Sequence, residues 1–213
     1  MFDRLTKLVS GVAGLGQASP EQYAPEVIDA MAEQMPPREG VWWAVASGKQ
    51  VEPDVLSPED LAALEAAEAW VKDPSEATAS AAGEALKDVD YQGPGAWAAV
   101  AAISVPVAAA LAGGAGAGAA MTAAPAAATA AGIAPKAVAG AVKLAAALKN
   151  GQKPETPQAA DVAEKVADAV GEAKPESAES APAASAANAA KSAKALKPFI
   201  DNGRDIMEGR NLW

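Results

Sequence analysis

The sequence predicts an all-α fold, and three observations support this prediction. Motifs that begin helices, with Pro after Ser or Asp and then an acidic residue, occur at 19–22, 57–60 and 73–76. Alanine is abundant, and it promotes helix formation more than it fills a core. No stretch shows the sustained alternation of β-branched residues that is typical of strands. We therefore expect a compact bundle of short helices capped by Pro, Ser and Asp motifs.

The first two predicted helices share a proline boundary. The Ser-Pro-Glu-Gln motif at 19–22 is a capping box and opens a helix that extends to about Gln34. Pro36-Pro37 ends that helix and begins the next, which contains two adjacent tryptophans and extends to about Lys49. Two large rings side by side on a helix point about 100° apart, so this helix must be buried broadly or present one ring to a partner.

The next helices follow the same pattern. The Ser-Pro-Glu-Asp motif at 57–60 predicts a helix through Trp70, and the Asp-Pro-Ser-Glu motif at 73–76 predicts one to about Lys87. The Gly-Pro-Gly sequence at 93–95 interrupts the chain before a helix that begins at Ala96. Pro106 should end or kink that helix.

An uncharged stretch from Tyr91 to Pro135 raises a membrane alternative. Alanine and glycine contribute little insertion energy, so we expect 104–132 to be an Ala/Gly-rich loop or helix extension and the preceding helix to be buried. A membrane-spanning or conditionally inserting segment remains the alternative. A further helix is predicted to begin at the Ala-Pro-Lys sequence at 134–136.

The composition divides the chain into four parts. We predict an amphipathic helix over 1–18, with a signal peptide as the alternative, and a helical domain over 19–150. Residues 151–190 are rich in Ala, Pro, Glu and Lys and are predicted to be a flexible linker, within which valines at 162, 166 and 170 could support one marginal helix. Residues 191–213 regain large apolar side chains and are predicted to form a docking helix.

Charge and missing residue types exclude several classes of function. The net charge is −10, and residues 1–90 hold 17 of the 27 acidic residues but only six of the 17 basic ones. This balance disfavours nucleic acid and anionic lipid, and it suits solubility or a basic protein partner. His and Cys are absent, so a Ser or Thr nucleophile lacks a histidine base. We predict no catalytic residues, no metal site and no cofactor, and hence no enzyme.

Aromatic and charged residues near the paired tryptophans form the predicted partner-binding set. The alternative is structural: Glu39 favours the start of its helix, Arg38 pairs with a neighbouring acid, and the indole rings anchor the core. The partner-binding candidates are Arg38, Glu39, Trp42, Trp43, Trp70, Phe199 and Trp213.

Two sequence blocks carry a resemblance to a known family. The blocks Pro-Arg-Glu-Gly-Val-Trp-Trp-Ala at 37–44 and Ala-Ala-Glu-Ala-Trp-Val-Lys-Asp-Pro-Ser-Glu at 66–76 resemble an uncharacterised family of bacterial all-helical proteins of unknown function. The resemblance covers about 20–150 and 196–213. Members of that family often accompany components of contractile (type VI) secretion systems, so the resemblance implies an accessory or adaptor role.

These observations predict a cytoplasmic bacterial protein-interaction module, an adaptor or chaperone-like accessory of a secretion system that binds a component or its cargo. A membrane-active or pore-forming protein that uses 96–132 is the first alternative, and a structural component of a larger assembly is the second. Export, membrane association and the oligomeric state stay open.

Overall fold

Seven α-helices and two short 3-10 helices make up the computed structural model, which describes residues 20–87, 89–113, 120–152 and 186–211. The predicted all-α fold is confirmed, and these residues contain no strand. The predicted N-terminal helix over 1–18, most of the predicted linker and Trp213 lie outside the described residues. The α-helices are α1 Pro25–Gln34, α2 Pro37–Gly48, α3 Pro58–Lys72, α4 Glu76–Ala85, α5 Pro94–Gly113, α6 Ala120–Lys149 and α7 Ala186–Met207.

Side-chain caps explain where α3 and α4 begin. The Ser57 hydroxyl accepts a hydrogen bond from the backbone N–H of Asp60, as the motif predicts. The cap of α4 is Ser75 and not Asp73: the Ser75 hydroxyl accepts from the Thr78 N–H, and the Thr78 hydroxyl accepts from the Ser75 N–H. The helix therefore begins two residues after Pro74.

The prediction of one continuous helix from the 19–22 motif to Gln34 is wrong. Residues Pro20–Tyr23 form a 3-10 helix, and α1 begins only at Pro25. The ring of Pro25 disfavours helical backbone at the preceding residue, and Ala24 is accordingly extended, with φ −73° and ψ 152°. This break places Tyr23 against the C-terminal helix.

The Ala/Gly-rich region is helical over most of its described length. Pro106 lies inside α5, which continues to Gly113, so of the two predicted outcomes, an end or a kink, the end is wrong. Likewise α6 is already helical at Ala120, well before the predicted start at 134–136. Alanines on both sides favour helix strongly, and packing of α5 along α6 adds to that preference.

Helices α5 and α6 form the centre of the bundle, with α2, α3 and α4 packed against α5 and with α1, α2 and α7 packed against α6. Alanines in the first half of α5 and the last half of α6, such as Ala98, Ala101 and Ala141, are fully buried and allow close helix contacts, while the larger core volume comes from Trp43, Trp70 and Trp97. Among the described residues, the helical stretch Ala131–Lys149 is long and apolar enough to cross a membrane, and 56% of it is buried inside the fold.

Candidate functional site

The paired tryptophans on α2 face different surroundings. Trp43 is fully buried, and its indole N–H donates to the main-chain oxygen of Phe199 on α7 at 2.9 Å. Trp42 is half-buried, and its indole N–H donates to the main-chain oxygen of Asn211 at 2.8 Å. One ring therefore holds the C-terminal helix, and the other holds the segment that follows it.

Position 203 allows α7 to approach Trp43 closely. A Cβ atom on Gly203 would lie 2.6 Å from Cε2 of Trp43 and 2.8 Å from Cε of Met31. The absence of a side chain lets the helix backbone lie directly on the indole ring. The surface of the bundle formed by Tyr23, Met31, Trp43 and Lys149 is called the helix groove below.

Tyr23 and Lys149 line the two sides of the helix groove. The Tyr23 ring contacts two cations of α7, with Nζ of Lys197 5.1 Å and Cζ of Arg204 5.4 Å from its centroid. The Tyr23 hydroxyl donates to Asp201 at 3.3 Å. On the other side, Nζ of Lys149 lies 5.5 Å from the centroid of the Phe199 ring.

A carboxylate also holds Lys197 in place. Lys197 donates to Asp201 one turn further along α7. This hydrogen bond, with a smaller contribution from Tyr23, raises the pKa of the Lys197 ammonium above its usual range. Both Asp201 and Tyr23 therefore favour the charged form of Lys197.

Other residues of the predicted set belong to the contact between α2 and α3. Nε of Arg38 donates to the main-chain oxygen of Val71 at 2.7 Å, and a second guanidinium nitrogen donates to that of Lys72 at 3.3 Å. Arg38 thus caps the C-terminal end of α3, where carbonyl groups lack helical partners. Trp70, 3% exposed, is a core residue of the same helix. Glu39 is half-buried in the first turn of α2.

The structure therefore brings Trp43 and Phe199 together and places Trp42 beside the chain end. Both Trp43 and Phe199 are fully buried, so their rings are accessible to a partner only if α7 leaves the groove. Among the described residues of the predicted set, Arg38, Glu39 and Trp42 are half-buried and therefore partly accessible in the closed fold, and Glu39 and Trp42 lie about one helical turn apart on α2. Their role in binding a partner stays a prediction.

Sequence reasoning missed a second buried polar feature, the Asp60 carboxylate. Asp60 is 1% exposed, and its two oxygens accept from the backbone N–H groups of Gly95, at 3.1 Å, and Ala96, at 2.9 Å. These are the first free N–H groups of α5, so the carboxylate of α3 caps another helix. Burial raises the pKa of the Asp60 carboxyl above its usual range, the two backbone N–H groups oppose this, and Asp90 adds a smaller rise.

The Gly-Pro-Gly sequence before α5 contained the signal for this cap. Gly93 precedes the helix and has no side chain to cap it, so an acceptor had to come from elsewhere in the fold. Neither Gly93 nor Gly95 has room for a side chain. A Cβ on Gly93 would lie 2.2 Å from the Asp60 carboxyl carbon, and a Cβ on Gly95 would lie 2.0 Å from the Asp60 main-chain oxygen.

A pocket of about 170 Å³ lies next to this cap. Asp60 already accepts two backbone hydrogen bonds there. Within the described residues, no group of three acidic side chains is placed to hold a metal ion. The pocket is lined by Val55, Leu56, Ser57, Asp60, Asp90, Gln92, Gly93 and Leu148.

The fold and the helix groove define an all-helical bundle that binds its own C-terminal helix through a buried tryptophan. The chain belongs to a family of unknown function, DUF6931, which matches residues 15–167. The match includes every residue of the helix groove and stops before α7. No curated protein and no solved structure matches the chain.

Proposed function

We propose that this protein is a non-catalytic protein-interaction module that acts as an adaptor or chaperone-like accessory of a bacterial secretion system. The observation that supports the proposal is the seating of α7 in the helix groove, where Phe199 and Ile200 are fully buried and Trp43 hydrogen-bonds the helix backbone. Laying the apolar face of a helix into a groove is a common mode of peptide recognition.

The accessible part of α2 offers a second contact for a partner. Glu39 and Trp42 lie on one face, three residues apart, and both are half-buried. An indole ring with a carboxylate beside it suits a basic or apolar protein surface. The link to a secretion system is supported by the resemblance of the 37–44 and 66–76 blocks, and a structural role within a larger assembly is the alternative within the same class.

A pulldown with the intact chain tests the proposal. The full-length protein is immobilised and incubated with bacterial lysate at low micromolar bait concentration, and captured proteins are identified by mass spectrometry. We expect the intact chain to capture a specific partner. Capture should be lost with a Glu39→Lys, Trp42→Ala double variant or with a substitution in the helix groove. Val55→Ala, at a residue that is 50% exposed and lies on the 3-10 helix Pro53–Val55, is the matched control. Capture of the same proteins by the intact chain and by bare matrix would contradict the proposal.

A membrane-active protein remains the second candidate, because the stretch from Tyr91 to Pro135 is uncharged and Val107 within it is 42% exposed. Flotation with anionic and zwitterionic liposomes separates the two. The interaction module stays at the bottom of the gradient, whereas a membrane-active protein that uses 96–132 has to float with the vesicles.

A further inference from the structure

Helix α7 has the pattern of a helical ligand. Its buried positions recur at intervals of three and four residues, which forms one apolar face. The exposed side carries Lys194 and Lys197. The residues of the buried face are Ala193, Leu196, Phe199, Ile200, Gly203 and Ile206.

The groove recognises features that other helices can share. The Trp43 indole donates to a main-chain oxygen, a group that every helix presents. The close contact beneath it requires a missing side chain at one position, here Gly203. The requirement is therefore a small residue between two apolar turns, and no particular long side chain is needed at the closest contact.

Charge adds a second requirement. Residues 20–152 contain 16 acidic and seven basic residues, whereas 186–207 contain four basic and two acidic ones. Two of those basic residues, Lys197 and Arg204, lie within 5.4 Å of the centroid of the Tyr23 ring, and Arg204 also donates to the main-chain oxygen of Gln22 at 3.3 Å. A helix with two cations about two turns apart, one before and one after the glycine in sequence, matches this arrangement.

The length of chain before α7 allows it to leave the groove. The 33 residues from 153 to 185 separate α7 from the rest of the described chain. A helix that belongs to the same chain as its binding site competes with outside ligands at an effective concentration set by the connecting chain, whatever the concentration of the protein. In the intact chain, α7 is then an internal competitor for the groove.

We infer that the helix groove binds, in place of α7, a basic amphipathic helix of another protein with a small residue at the position of Gly203. This inference rests on the proposed function and names its partner class. Helix α7 keeps the groove closed until such a helix displaces it.

A peptide titration with the full-length chain tests the inference. The probe is a fluorescent peptide of residues 186–211, and the variant is Gly203→Leu, which introduces a side chain against Trp43 and displaces the internal helix. We expect the variant to bind the peptide about a hundredfold more tightly than the wild-type chain does. Gly132→Leu is the matched control, because nothing lies within 4 Å of a Cβ at that position in α6, and it should bind the peptide as the wild type does.

A second preparation covers the case in which Gly203→Leu misfolds or α7 stays docked. A protease site is inserted between residues 153 and 185 of the otherwise wild-type chain, and after cleavage the labelled peptide is added in excess. Exchange of the bound segment for the labelled one supports the inference. Failure of both the variant and the cleaved protein to take up the peptide would overturn it.

Peptide variants define the partner class. A peptide of unrelated sequence that keeps only the apolar, glycine and basic positions of α7 should also bind. The same peptide with leucine at the glycine position should not. Equal binding of both peptides would overturn the inference, as would a wild-type chain that is a stable dimer with exchanged α7 helices, since the occupant would then be a second copy.

The two proposals fail separately. If the peptide exchanges but no protein is captured in the pulldown, the proposed adaptor function is contradicted, whereas the inferred specificity of the helix groove is still supported. If a partner is captured but the peptide does not exchange, the proposed function is supported and the inference about the helix groove is contradicted. The partner would then be expected to bind near Glu39 and Trp42.

Discussion

Glycine at position 95 is required by the backbone of Asp60 across the contact between α3 and α5. A Cβ there would lie 2.0 Å from the main-chain oxygen of Asp60 and 3.0 Å from the backbone nitrogen of Leu64. Because both atoms belong to the backbone of a helix, they cannot move aside as a side chain can. The same close approach brings the Asp60 carboxylate to the first N–H groups of α5.

Gly95→Ala should therefore destabilise the fold by about 1–3 kcal/mol, the usual cost of overpacking a close contact. Urea denaturation followed by tryptophan fluorescence measures the loss. Gly83→Ala is the control: it lies within α4 with nothing within 4 Å of a Cβ, so replacing a helical glycine there should stabilise by up to about 1 kcal/mol. Equal effects of the two substitutions would refute the close approach.

At the scale of elements, one carboxylate joins the end of α2 to α3. Glu68 on α3 pairs with Lys49, which follows α2, at 2.6 Å and with Lys72 one turn further along α3 at 2.9 Å. Hydrogen bonds from Lys49 and then Lys72 lower the pKa of the Glu68 carboxyl below its usual value of 4.5. Both lysines are largely exposed, so solvent screens the pairs and keeps their contribution small.

Glu68→Gln should cost less than about 1 kcal/mol at pH 7. Since the carboxyl has a lower pKa in the folded state, its stabilisation is present above pH 4.5 and is lost as the pH falls through the folded-state pKa. Denaturation of both proteins at pH 7 and near pH 3 measures this, and the difference should be smaller at the lower pH. Glu84→Gln, at an exposed pair with Lys87, should show no measurable difference at either pH. A Glu68→Gln effect that is independent of pH would contradict this account.

Helix boundaries were predicted well where the cap lies within one turn of the helix start. Ser57 and Pro37 act on their own helices, and both starts are where the motifs place them. At Pro25 the local backbone restriction was overlooked, so the first α-helix begins later than predicted. At Pro106 the helix preference of neighbouring alanines outweighs one missing hydrogen bond, so α5 does not end there.

At the scale of the whole molecule, the tryptophan pair contributes two hydrogen bonds to the docking of α7 and of the segment that follows it. The Trp43 bond to Phe199 is buried, whereas the Trp42 bond to Asn211 is at the surface. An unpaired buried carbonyl costs far more than one that water can reach. We therefore expect the Trp43 hydrogen bond to stabilise the docked position of α7 more than the Trp42 hydrogen bond does.

Trp43→Phe should lower the free energy of unfolding by about 1–3 kcal/mol, through the lost donor and the volume left empty. Trp42→Phe, the matched control on the same helix, should cost less than half as much. Urea denaturation gives both values, and hydrogen exchange of the amides of α7 shows whether its docking weakens. A larger loss from Trp42→Phe would place the main contact of α7 elsewhere.

The sequence by itself determined the all-α class, most helix starts and the location of the aromatic core, because caps, prolines and helix preference act within a turn or two of chain. The tertiary structure alone decided that Asp60 caps α5, 35 residues away, and that Trp43 binds the backbone at Phe199, 156 residues away. Such contacts depend on which helices pack and how closely they approach. Gly95 and Gly203 allow these helices to approach each other closely. The sequence shows that a glycine is present but does not show which residue of another helix it contacts.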